Sequence, residues 1–145
     1  MPFQPALQAS PLHWLRYCFC ALVVALAAHA APAAAAVQAY PPTFRAQQMA
    51  VSGGTQFVRI GGAGPAVVLL HGFGDTGDMW QPLAVLLAKT HTVVVPDLRG
   101  MGLSSHPEDG YTKVAQAHDL IAILDQLQIG EFTLVTHDIG NMVGY

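Results

Sequence analysis

Apolar and polar positions alternate in two rhythms from residue 55 onward. Thr55 to Ile60 mixes apolar Phe57, Val58 and Ile60 with polar neighbours, as a half-exposed strand does. Gly61-Gly62-Ala63-Gly64-Pro65 reads as a turn. Ala66 to Leu70 is a continuous apolar run, the mark of a strand covered on both faces. From Trp80 to Lys89, Leu83, Leu86 and Leu87 recur at helical spacing, with Pro82 tolerated in the first turn. Val93 to Val95 is a second buried strand. Thr112 suits the N-cap of a helix running to about Gln128, with Val114, Ala117, Leu120, Ile121, Leu124 and Leu127 as its apolar stripe and Gly130 ending it. Phe132 to Val135 is a third buried strand, and a new helix begins near Ile139. Buried strands alternating with amphipathic helices predict an α/β fold, with a mostly parallel sheet and helices on both faces.

Composition changes this picture mainly at the N-terminus. The 145 residues are 52% hydrophobic and only 10% charged, with a formal charge of −3, and much of the apolar excess lies before residue 40. His13 and Arg16 give a weakly basic start, Tyr17 to Ala28 is an apolar run, and small residues follow in bulk, including Ala28-His29-Ala30 and Val37-Gln38-Ala39. That order predicts a signal peptide over residues 1–39 and a secreted or periplasmic protein. The run is short for a bilayer span of about 20 residues. An uncleaved anchor is the alternative, and it is the only membrane contact expected. Cys18 and Cys20 both fall in this segment, so residues 40–145 would fold without disulfides and without a cysteine nucleophile. No Lys/Arg run suggests a nucleic-acid surface. His91, His106 and His118 lack metal-ligand spacing and read as surface residues, so neither metal nor cofactor is expected, and the partner is a small-molecule substrate.

Ligands of parallel sheets sit at the carboxyl ends of the strands, and three unusual loops fall there. The third, Thr136-His137-Asp138-Ile139-Gly140-Asn141, has the form of a nucleophile elbow, a sharp strand-to-helix turn with small residues two before and two after the nucleophile. Asp138 stands at the nucleophile position and tolerates positive φ better than most residues. A carboxylate there attacks an electrophilic carbon and leaves an ester for water to cleave. An ordinary helix N-cap Asp is the bland alternative, and the β-branched Thr136 crowds a position where Gly is usual. The first loop, His71-Gly72-Phe73-Gly74-Asp75-Thr76-Gly77, has two readings. In one, the backbone N–H groups of Phe73 and Ile139 form an oxyanion hole. In the other, Gly72-x-Gly74-x-x-Gly77 is a dinucleotide fingerprint, with Asp97 ending the next strand. Asp75 puts negative charge where a pyrophosphate would lie, and this second reading leaves the other loops unexplained.

Taken together, His71-Gly72-Phe73-Gly74, Asp97-Leu98-Arg99-Gly100-x-Gly102-x-Ser104 and His137-Asp138-x-Gly140 resemble the α/β-hydrolase superfamily over about residues 55–145. They look most like its epoxide hydrolase branch, with haloalkane and haloacid dehalogenases as close relatives. The resemblance implies that Asp138 is the nucleophile and that Phe73 and Ile139 hold the oxyanion. Asp97 and Arg99, as a structural ion pair, and His71, Gly72, His137 and Gly140 would shape the site rather than react. Trp80 is either a pocket wall or plain core packing, and Ser104 and Ser105 lack an elbow. Dehalogenases of this family usually carry Trp after the nucleophile and often a halide-binding side chain after His-Gly. Ile139 and Phe73 stand there and disfavour haloalkanes, and an esterase would want Ser at position 138. The resemblance also places a His general base, its acid and the tyrosines of a cap downstream of the elbow. The expectation is therefore the N-terminal part of the fold, truncated after the elbow and without turnover by itself. A non-catalytic fragment is the alternative from a different functional class.

Overall fold

The computed structural model describes residues 39–145. The expected leader and both cysteines lie outside the described residues, apart from Ala39. The elements in chain order are β1 (Phe44–Val51), β2 (Gly54–Gly61), β3 (Ala66–Leu70), a 3₁₀ helix (Gly77–Trp80), α1 (Gln81–Leu87), β4 (Thr92–Pro96), α2 (Lys113–Gln126), β5 (Phe132–Thr136) and α3 (Ile139–Gly144).

The five strands form one sheet in the order β1-β2-β4-β3-β5. β3 pairs in parallel with β4 on one side and β5 on the other. β1 and β2 form an antiparallel pair, and β2 joins β4 antiparallel. The sheet is thus parallel through β4, β3 and β5 and mixed overall. The carboxyl ends of those three strands share one edge, which brings the three loops together.

The two-fold repeat of a strand sends alternate side chains to opposite faces, and both faces here are covered. Val58, Ile60, Val68, Leu70 and Val94 form one core with Leu120, Ile123 and Leu124 of α2 and Val143 of α3. Val67, Leu69, Val93 and Val95 form the other, with Ala84 of α1 and Phe44.

Several elements differ from expectation. β1 has no pattern signal, because only Phe44 and Met49 of its eight residues are buried. β2 is an interior strand rather than a half-exposed one: Gln56, Val58, Arg59, Ile60 and Gly61 are all buried. In α1 it is Ala84 that is buried, while Leu83 and Leu86 face outward. In α2 Val114 and Ile121 are exposed, whereas Gln116 and Asp119 are buried. That helix ends at Gln126, four residues before Gly130: Gln128 takes the left-handed conformation (φ 59°) and its N–H bonds back to Asp125 C=O. Among the described residues no helix is long and apolar enough to cross a membrane.

Candidate active site

β5 ends at Thr136 and α3 begins at Ile139, so the chain reverses within two residues. His137 N–H still donates to Leu70 C=O at 3.0 Å, extending the β3–β5 ladder by one rung. Asp138 then turns at φ 49°, ψ −118°, a conformation that strains a non-glycine residue and is common where a side chain must be lifted out of a sheet. Gly140 makes the turn possible. A Cβ there would lie 2.7 Å from the Leu70 carbonyl oxygen and 3.0 Å from Leu70 Cβ. Gly140→Ala should therefore push α3 off β3 and lower stability by about 1–3 kcal/mol, read from urea melts. An unchanged midpoint would show that α3 shifts freely. The Thr136 hydroxyl donates to Asn141 Oδ1 across the elbow, which gives the β-branched residue a bracing contact where Gly is usual.

Asp138 does not cap its helix with its side chain. Its Oδ2 accepts the Phe73 backbone N–H at 2.8 Å instead. This bond, and then that from the Ile139 N–H, hold the exposed carboxyl below the usual carboxylate range. Desolvation pushes the other way by less than these bonds, and the charges of His137 and Lys113 add smaller pushes in the lowering direction. Gly72 lets the loop come this close: a Cβ there would sit 2.8 Å from His137 Nδ1 and 2.9 Å from Asp138 Cβ.

His71 is fully buried. Its Nε2 accepts the Leu98 N–H at 2.8 Å, so Nδ1 carries the proton and donates to Gly72 C=O at 2.8 Å. Burial pushes the imidazole below its ordinary 6.5, and this neutral, doubly bonded ring ties the first loop to the second. Phe73 exposes its side chain above the elbow, and Ile139 is half-buried against the α2 core.

Asp97 and Arg99 are both buried, but they are not each other's partner. Asp97 Oδ1 accepts from Arg59 Nη1 and from Gly77 N–H, each at 2.7 Å, and Oδ2 accepts from Leu103 N–H at 3.0 Å. Arg99 donates instead to Asp119 through Nε (2.8 Å) and Nη2 (2.7 Å). Adjacent loop residues thus serve two separate pairs whose other halves lie on β2 and α2. The same burial removes the dinucleotide reading: an Asp97 with both oxygens engaged cannot meet a ribose, and the helix after the glycines opens as a 3₁₀ turn before α1. Trp80 packs against the core on the α1 side. Ser104 donates to Asp97 C=O at 2.6 Å and accepts Phe57 N–H, a structural bridge. His106 and His118 are exposed and His91 is half-buried beside Thr90. No group of three metal-ligating side chains occurs among the described residues.

The alpha/beta hydrolase fold family matches residues 65–144. A fluoroacetate dehalogenase of Burkholderia sp is 43% identical over 91 residues, covering 59% of this chain and 30% of that protein. An epoxide hydrolase of Caballeronia sordidicola is 43% identical over 82 residues, 54% of this chain and 25% of the other. The crystal structure of an epoxide hydrolase from Vigna radiata aligns with a TM-score of 0.69 at 33% identity, covering 74% of this chain and 34% of that one. The chain thus spans roughly a quarter to a third of these relatives' length.

Proposed function

The chain belongs to the alpha/beta hydrolase fold family, and from that premise we propose that it acts as an epoxide hydrolase-like enzyme with Asp138 as nucleophile. Asp138 Oδ1 attacks a ring carbon, the carbon–oxygen bond of the epoxide breaks, and the ring oxygen takes the electron pair and a proton. Water then attacks the carbonyl carbon of the resulting ester. Negative charge gathers on Oδ2, where the N–H groups of Phe73 and Ile139 stabilise it. Collapse releases the diol and restores the carboxylate. The scheme needs no cofactor.

The observation that carries this reading is the 2.8 Å bond from Phe73 N–H to Asp138 Oδ2 in a left-handed elbow. It engages one carboxylate oxygen where oxyanion charge would develop and leaves the other to attack.

Incubation with styrene oxide followed by peptide mass spectrometry tests it. The expected adduct maps to Asp138. Because the reactive form is the carboxylate and its pKa is lowered, labelling should keep more than half its rate as pH falls to the ordinary value of 3.8 and reach half only below it. An adduct elsewhere, or half-loss of rate above that value, rejects the assignment. A second reading, hydrolysis of a halogenated acid, draws on the similarity to the fluoroacetate dehalogenase, and fluoride release from fluoroacetate distinguishes it. The leader-like first 39 residues support a secreted or periplasmic location, which cell fractionation checks.

A further inference from the structure

We infer that Tyr40 and Arg59 are positioning residues for the oxyanion donor: they fix the far end of the loop whose Phe73 N–H meets Asp138. The inference rests on the reading of Asp138 as nucleophile. The loop runs between two anchors. His71 holds the near end, as described above. Gly77 holds the far end, and both of its backbone groups are tied. Its N–H donates to Asp97 Oδ1 at 2.7 Å, and its C=O accepts the Tyr40 hydroxyl at 2.7 Å.

Arg59 joins these contacts. It is almost fully buried. Nη1 lies 2.7 Å from the same Asp97 oxygen, and Nη2 lies 2.5 Å from Asp78 Oδ1. Its guanidinium carbon sits 5.4 Å from the Tyr40 ring centroid and 4.7 Å from that of Phe57. A Cβ on Gly77 would fall 2.6 Å from Arg59 Nη1, so the cation lies directly on the loop backbone. Burial pushes the Tyr40 phenol well up, which keeps it a donor.

Between the anchors a long turn bond, Asp75 N–H to Gly72 C=O at 3.3 Å, closes the chain around Phe73. Phe73, Gly74 and Asp75 are exposed. Gly74 takes φ 75°, and a Cβ on it would touch nothing. The position of the Phe73 N–H is therefore set by this turn and by the two anchored ends that carry it, and a donor displaced by an ångström loses much of its value to a developing charge.

The test compares the full chain with Tyr40→Phe, which keeps the ring and removes only the hydroxyl, and with Arg59→Lys, which keeps charge and loses the fork. The first measurement is the ¹³C shift of the Asp138 carboxyl across a pH titration. The second is the rate at which the ester that styrene oxide leaves on Asp138 is lost to water. A melt of each variant checks folding. The charges facing Asp138 from neighbouring elements, His137 and Lys113, are unchanged in both variants. The expected result for Tyr40→Phe is a titration midpoint moved up toward the ordinary value. Loss of the Asp138 adduct to water should slow about tenfold while the labelling step itself is not slowed, and Arg59→Lys should go further. A folded Tyr40→Phe with native midpoint and native rate of adduct loss overturns the inference and leaves the cluster a purely structural ion pair. If the midpoint moves while even the native chain takes no label, the positioning role stands and the nucleophile reading falls.

Discussion

Asp138→Asn should reduce labelling by styrene oxide by on the order of 10⁴-fold or more, with little change in the melting curve. An amide is close to isosteric with the carboxylate, and its oxygen can still accept the Phe73 N–H that Oδ2 accepts at 2.8 Å. What disappears is the negative charge that makes the group a nucleophile. Losses of this size are typical when a group central to covalent catalysis is removed. Because Asp138 is exposed and makes no capping bond to its own helix, the fold should barely register the change. Persistent labelling of the variant would place the reactive group elsewhere.

Asp119→Ala should have the largest effect on stability, about 3–5 kcal/mol in a urea melt. The carboxylate is almost fully buried and accepts from Arg99 Nε, Arg99 Nη2 and Gln56 Nε2, at 2.8, 2.7 and 3.1 Å. Removing it strands a buried guanidinium whose remaining hydrogen bond is to Ser52 C=O, and an uncompensated buried charge costs this much. Against a typical total of about 5–15 kcal/mol, the variant should melt far below the native chain. The double variant Arg99→Met/Asp119→Leu should regain most of the loss, since two apolar side chains replace a buried ion pair at little net cost. A single variant within 1 kcal/mol of native stability, in the range of an exposed pair, would show the pair to be hydrated.

Much of the fold and the elbow itself could be read from local sequence. The apolar runs of β3 and β4 mark interior strands, Thr112 does cap α2, and residues 136–140 announce a tight turn by composition; β5, expected to be buried, is instead the edge strand, with Phe132 and Thr133 exposed. What escaped depends on distant partners. β1 contains Arg45, Gln47 and Gln48 at exposed positions and buries two residues only, so neither strand nor helix period shows. Arg59 looks like the polar half of an alternating strand, yet Asp97 and Asp78 draw it inside. Asp119 sits on α2 where a stripe-only reading expects solvent, because the buried partner it needs, Arg99, belongs to the loop after β4. The Asp97–Arg99 pairing fails for the same reason: proximity in sequence says nothing about which way each side chain leaves the loop. Tyr40, before the first strand, carries no local signal at all.

Phe73 and Asp138 stand 65 positions apart. Bringing such a pair together costs chain entropy of about 4 kcal/mol by the loop-closure relation, and the parallel pairing of β3 with β5 must meet that cost before donor and carboxylate can touch. The reactive carboxylate is thus an intrinsic reporter of cooperative closure of the sheet. A chain that keeps its helices and its β1–β2 hairpin but opens β5 would lose the distinctive acidity of Asp138 before its helical circular dichroism.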